Sequence, residues 1–262
     1  MKKKLFREER LRMIMEMLFA NKSVTVEQLS KEFDKSAGMI RLDLTELESR
    51  GLISRTHGGA ILVNDSTEDL ILEKNILQLR VESRKEEKAR IGKAVVDLIH
   101  DGDSILIDGG TTTYFVAKEL HKKRDLKIVT TSMLLFPILW EIPDATIYLT
   151  GGVVHREFED TYGDITLETI KRFKPEFTIM GVDGVSTSNG FTTTDPSMAM
   201  VKRQMVAVSK NLIIVADSSK FGKVCLLSIA DMQHTSVIVT DTGFPVEEAE
   251  AIRQLGPKVI RA

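Results

Sequence analysis

The sequence predicts an α/β protein in two parts: a small N-terminal winged helix-turn-helix over residues 1–62 and a larger doubly wound, mainly parallel sheet over residues 85–262. A connector at 63–84 joins them. Three observations predict this. Three short amphipathic segments precede a Gly-Gly hairpin within the first sixty residues. From residue 103 onward, short β-branched runs alternate with stretches long enough for a helix, the pattern of a parallel sheet with helices on both faces. The net charge of −2 is also unevenly divided: residues 1–62 hold 12 Lys and Arg against 9 Asp and Glu (+3), and the remainder hold 24 against 29 (−5). A basic head on an acidic body suits a nucleic-acid-binding module attached to something that does not bind nucleic acid.

Composition narrows the function classes. With 42% hydrophobic and 28% charged residues the chain reads as a soluble globular protein. The longest apolar run, Met133 to Trp140, is broken by Pro137 and falls far short of the roughly 20 residues of a membrane helix. In the opening segment Glu8 and Glu9 interrupt any secretory h-region, so a reducing cytoplasm is the expected compartment. Cys225 is the only cysteine, which excludes an intramolecular disulfide. His57, His100, His121, His155 and His234 are scattered without metal-ligand spacing, so neither a metal nor a cofactor is expected.

In the head, Leu11, Ile14 and Leu18 mark the inner face of a first helix from about Phe6 to Ala20. A short β-type stretch, Ser23–Val26, comes next, and Leu29 and Phe33 define a second helix from Glu27 to Asp34. Ser36 is a good N-cap for a third helix whose buried face is Ile40, Leu44 and Leu47, and Gly51 stands where a stop belongs. Leu52 to Leu62 then reads as two short strands joined by Gly58-Gly59. In this arrangement the N-terminal part of the third helix enters the major groove. The candidate DNA-contacting residues there are Lys35, Ser36, Ala37, Gly38, Met39, Arg41 and Leu42, with Arg55 and His57 on the wing. The planar fork of Arg41 can donate two hydrogen bonds to guanine or to phosphate. A three-helix protein-interaction module, with Arg41 solvated or paired to Asp43 or Glu46, accounts for the same pattern.

The connector contains a charged run, Arg80 to Arg90, and leads into a helix from Lys85 to His100 with Ile91, Val95, Leu98 and Ile99 inward. Strands are expected at Ser104–Ile107, Lys127–Val129, Thr146–Leu149, Phe177–Met180, Leu212–Val215 and Ser236–Val239. Helices between them are expected at Thr112–Leu120, Ile165–Arg172, Met198–Val208 and Glu247–Leu255.

The residues just after each strand carry the functional signal, because ligands of open α/β sheets bind beyond the strands' carboxyl ends. Asp108-Gly109-Gly110-Thr111-Thr112-Thr113 succeeds the first strand and opens a helix, so its backbone N–H groups and hydroxyls can cradle an anion. Thr131-Ser132, Gly151-Gly152, Asp183 and Asp217 succeed later strands and suit a polyhydroxylated ligand. Lys220 is the one basic residue in these loops, and Lys202 is a weaker candidate of the same type. No Walker or dinucleotide-binding pattern is present. Taken singly, each Gly and Thr reads as a turn or cap residue.

The run Ser36 to Ala60, with Arg41, Asp43-Leu44, Leu47-Glu48, Gly51-Leu52, Arg55 and His57-Gly58-Gly59-Ala60, resembles the signature of the DeoR/GlpR family of bacterial sugar-metabolism regulators. Asp108 to Thr113, Gly181-Val-Asp-Gly184, Gly190-Phe-Thr192, Val201-Lys202, Asp217 to Gly222 and Thr240-Asp241 resemble its sensor domain. The resemblance implies a fold similar to ribose-5-phosphate isomerase, a double-stranded operator, a phosphorylated sugar or sugar-acid effector, a homo-oligomer, and repression of a carbohydrate uptake or catabolism operon. The sequence departs from the family at Met39 and Leu42, where Thr and Arg are usual, and at Thr131, where Asn is usual. Met39 and Leu42 suit a thymine methyl group. The competing reading is a sugar-phosphate isomerase with an appended head, with its base drawn from Asp108, Asp183, Asp195 or Asp217.

Overall fold

The second and third helices of the head start where the sequence supplies caps. Thr25 accepts from the backbone N–H of Gln28 at 3.1 Å while Gln28 accepts from that of Thr25 at 2.9 Å, a reciprocal capping box. Asp34, with φ 52°, turns the chain out of that helix, and Ser36 caps the next through the Met39 N–H at 3.3 Å. In the computed structural model residues 7–21, 23–62 and 77–262 are described. They divide into two units, Met1–Ser83 and Arg84–Ala262.

The first unit contains α1 (Arg7–Asn21), β1 (Ser23–Thr25), α2 (Val26–Phe33), α3 (Ala37–Ser49), β2 (Ile53–Thr56) and β3 (Gly59–Leu62). The strands form an antiparallel sheet in the order β1-β3-β2. Leu11, Ile14 and Leu18 meet Leu29, Phe33, Ile40, Leu44 and Leu47 in one core, closed by Leu52, Ile53 and Ala60 of the hairpin. Gly59 is required there, because a Cβ would lie 1.9 Å from the Val24 carbonyl oxygen. Val26 begins α2 rather than ending a strand, since the Thr25 cap precedes it. Phe6 lies outside the described residues, as do positions 63–76 of the anticipated connector. Residues 77–82 are helical and Leu79 packs on the head's core, so the end of that connector belongs to the first unit.

The second unit is built on β4 (Ser104–Ile107), β5 (Lys127–Thr130), β6 (Thr146–Leu149), β9 (Phe177–Gly181), β12 (Asn211–Val215), β14 (Val237–Thr240) and β15 (Lys258–Arg261). Every pairing is parallel, in the order β15-β14-β12-β9-β4-β5-β6. The chain therefore winds outward from β4 in one direction and returns to wind outward in the other. Alternate residues serve opposite faces. Ile105 and Ile107 pack with Ile91 and Val95 of α4 (Lys85–Val96), Val116 of α5 (Thr111–Glu119) and Leu139 of α6 (Phe136–Trp140). Leu106 packs with Ile170 of α7 (Asp164–Lys171) and Val201 of α8 (Pro196–Val208). On that same side Ile214 and Ile238 meet Ala249 and Ile252 of α9 (Val246–Arg253).

Two additions stand outside the strand-helix alternation that the periodicity reveals. One is the antiparallel hairpin β7 (Val153–His155) and β8 (Asp160–Tyr162). The other is an antiparallel sheet of β10 (Gly184–Ser186), β11 (Gly190–Thr193) and β13 (Leu227–Ala230). Helix α4 ends four residues before the expected His100, although Ile99 is still fully buried. Among the described residues no helix is long and apolar enough to cross a membrane.

Candidate functional site

In the first unit α3 buries Ile40, Asp43, Leu44 and Leu47, which leaves Gly38, Met39, Arg41 and Leu42 on the exposed side, with Lys35 and Ala37 half-buried at its start. Asp43 is not the partner of Arg41. Its inward register brings it to Arg10 of α1, whose guanidinium donates at 2.5 and 3.0 Å to its two oxygens, a bidentate pair 5% and 1% exposed. Glu46 is taken by Arg7 and Arg50. Arg41 forms no ion pair among the described residues. On the wing His57 is exposed, whereas Arg55 is anchored, its Nη1 donating to Thr45 Oγ1 of α3 at 2.9 Å.

In the second unit the winding direction reverses between β4 and β9, where an open α/β sheet leaves a crevice at its carboxyl edge. Asp108 lies just beyond β4 and accepts from the Gly181 N–H at the end of β9 at 3.1 Å. Lys202 reaches in from α8, donating to Asp108 Oδ2 and, at 3.0 Å, to the Gly181 carbonyl. Both side chains are buried. Burial pushes the Asp108 carboxyl above its ordinary range, with Lys202 and the Gly181 N–H acting against it. Lys202 is thus spoken for by Asp108 and is not a free point charge.

A second carboxylate enters from an unexpected element. The segment after β5 pairs with β8, through Met133 N–H to Glu159 O at 2.7 Å and Thr161 N–H to Thr131 O at 2.9 Å, which carries Asp160 inward. Thr131 donates to Asp160 at 3.3 Å. Burial first, and then the neighbouring charge of Asp108, push Asp160 up to about 7.

The loop after Asp108 opens α5 without a side-chain cap, Gly110 taking a φ of 131° that favours glycine. Thr111 and Thr112 are half-buried in the first turn, and Thr111 Oγ1 accepts from the buried Lys88 of α4 at 3.0 Å. Thr113 is turned away, fully buried and donating to the Gly110 carbonyl. Ser132 is fully buried as well, its N–H bonded to Thr130. Gly151 and Gly152 serve packing: Thr166 of α7 donates to the Gly151 carbonyl, and a Cβ on Gly152 would meet Thr166 Oγ1 at 2.2 Å.

Across the crevice Asp183 accepts from the Thr193 hydroxyl at 2.6 Å. Burial acts to raise it, but that hydroxyl, Lys220 and Lys202 together hold it below its ordinary value. Asp217 is likewise opposed by burial and held low by Ser219, Lys220 and Arg84, whose Nη1 lies 2.9 Å away. Asp241 receives the Ser218 N–H at 2.6 Å and so fixes the turn that carries Lys220. Lys220 is half-buried, feels both carboxylates, and forms no ion pair within 4 Å among the described residues. Sequence reasoning passed over Asp160, Lys88, Arg84 and Thr193; Asp241 it named only within the family resemblance. Lys88 had a legible signal, since it shares a helix face with Ile91 and Val95. Asp160 had none.

Residues 83–242 match the model of the DeoR C-terminal sensor domain, and residues 10–66 match that of the DeoR-like helix-turn-helix domain. The chain belongs to the DeoR family. Among DeoR-type proteins it is similar to the repressor GlcR of Bacillus subtilis, 32% identical over 90% of this chain and 89% of that protein. It is also similar to the transcriptional repressor AccR of Agrobacterium fabrum, 33% identical over 90% of each chain. The glycerol-3-phosphate regulon repressor of Escherichia coli is 30% identical over 91% of this chain and 92% of that protein. Among solved structures, ribose 5-phosphate isomerase from Plasmodium falciparum is similar at 18% identity and a TM-score of 0.37, over 51% of each chain. With its helix-turn-helix in place, this DeoR chain is a DNA-binding transcriptional regulator, and the isomerase alternative is set aside.

Proposed function

We propose that this regulator is a repressor of a carbohydrate uptake or catabolism operon, working as a homo-oligomer on paired half-sites and controlled by a phosphorylated sugar-like effector. The effector's phosphate sits at Gly109, Gly110, Thr111 and Thr112, with Lys220 supplying the counter-charge. Asp183 and Asp217 take its hydroxyl groups, and Asp108 with Lys202, together with Thr131, frame the crevice. The observation that carries this reading is Lys220: a half-buried cation without an ion-pair partner among the described residues, at the edge where α5 presents an uncapped N-terminus. Such a terminus favours anions. Relatives that are repressors by name, of the glycerol-3-phosphate regulon among others, support the regulatory half.

The test is a thermal-shift and calorimetry panel of pentose, hexose and triose phosphates, each beside its unphosphorylated parent, on the full chain and on Lys220→Ala. A ligand that binds the native state raises its melting point by mass action. The proposal expects a phosphate-dependent shift, weakened in Lys220→Ala by about 1.5–3 kcal/mol, the worth of a charge-assisted hydrogen bond. Equal binding of the parent sugar, or an unchanged variant, overturns it.

A further inference from the structure

We propose that the reading face of α3 selects thymine through its C5 methyl group at neighbouring base pairs of the half-site, by way of Met39 and Leu42. The inference rests on the reading of the first unit as a DNA-binding module and specifies what that module recognises.

Leu42 is 66% exposed and Met39 41% exposed. They stand three residues apart and are therefore neighbours on one helix face. The fold does not use them, because α3 packs through Ile40, Asp43, Leu44 and Leu47 on its other side. Apolar surface left in water forgoes the transfer free energy that burial would give, so whatever occupies this face and gains from it must offer apolar surface in return.

The polar groups around the pair narrow the occupant. Arg41 is exposed and has no ion pair among the described residues. Thr45, one turn further on, is already committed, donating to the Arg41 carbonyl at 2.8 Å and accepting from Arg55 at 2.9 Å. The chemistry left open beyond Ser36 is thus a cation beside two apolar side chains, with the exposed His57 on the wing. A polyanion complements the cation. In the floor of the major groove the apolar group that bases present is the thymine methyl. Arg41 takes a phosphate or guanine edge, and Met39 and Leu42 lie against methyl groups beside it.

The test starts from the full chain and a randomised duplex library, from which the preferred half-site is selected and amplified. Each thymine of that site is then replaced in turn by deoxyuridine, which removes the methyl and leaves the base pairing and phosphates unchanged. At a contacted thymine the expected loss is about fourfold in affinity, the worth of one buried methyl-sized group. In Leu42→Ala or Met39→Ala the loss at that residue's own thymine disappears. Both side chains are exposed, so neither variant disturbs the core. An enriched site that tolerates deoxyuridine everywhere, or a loss that persists in both variants, overturns the methyl readout while leaving the regulator intact. A library from which no sequence is enriched overturns the DNA-binding reading and this inference with it.

Discussion

The carboxylate of Asp160 occupies the space that a side chain at Gly109 would need: an ideal Cβ there would lie 2.0 and 2.1 Å from the two carboxylate oxygens. Glycine at 109 therefore answers to a close approach from another element rather than to a turn. Gly109→Ala should destabilise the second unit by about 1–3 kcal/mol, the usual cost of overpacking. Asp160→Ala vacates the space, so Gly109→Ala should cost far less in that background. Urea titrations of the four chains of this cycle check it. Equal costs in both backgrounds would show that the two residues do not compete.

Lys202 compensates a buried carboxylate at the point where β4 and β9 meet. Lys202→Met leaves Asp108 without its counter-charge, and removing one partner of a buried pair costs about 3–5 kcal/mol. Adding Asp108→Asn removes the orphaned charge and should restore most of that loss. Denaturant midpoints of the single and double variants decide the matter.

Asp160 sets a pH dependence of definite sign. Its folded value, about 7, lies above the ordinary value of 3.8, so its contribution to stability is present in acid and is lost as the pH rises through 7. Asp108 is displaced in the same direction by burial, and Lys202 opposes both. Asp183 and Asp217 are displaced downward and act only in acid, below the ordinary carboxylate range. Between pH 5 and 8 the melting point of the parent should therefore fall, and that of Asp160→Asn should fall less. Parallel curves for the two proteins would remove Asp160 as the cause.

Arg41→Ala tests how the head holds DNA without disturbing its fold, since that guanidinium forms no ion pair among the described residues. Loss of a base-edge contact should cost about 1–3 kcal/mol and relax sequence preference. Loss of a phosphate contact should weaken all duplexes alike and lower the salt slope by about one. Binding isotherms at several salt concentrations separate these outcomes, and unchanged affinity and slope remove Arg41 from the interface.

The parts of this molecule that repeat a period were readable from its residues. Leu11, Ile14 and Leu18 announced α1, and the β-branched runs announced six of the seven parallel strands, because burial on one or both faces imposes a pattern on four or more residues. The β7–β8 hairpin and the β10-β11-β13 sheet were not readable: β7, β8 and β10 have three residues each, too few to separate from a turn, and β11 and β13 stand outside the strand-helix alternation. The crevice was half legible for the same reason. Asp108, Asp183, Asp217 and Lys220 stand after recognisable strands, whereas Asp160 reaches the site on that hairpin. The pairing of Lys202 with Asp108 depends on which strands become neighbours, and no local pattern encodes that order.

The reversal of winding between β4 and β9 has a consequence for the chain as it is made. Asp108 and Lys202 are 94 residues apart, so at about 5–20 residues per second the ribosome delivers the lysine roughly 5–20 seconds after the aspartate. Through that interval the Asp108 carboxylate has no counter-charge to be buried against, and it stays hydrated. The buried pair at the meeting point of β4 and β9 forms only when α8 docks.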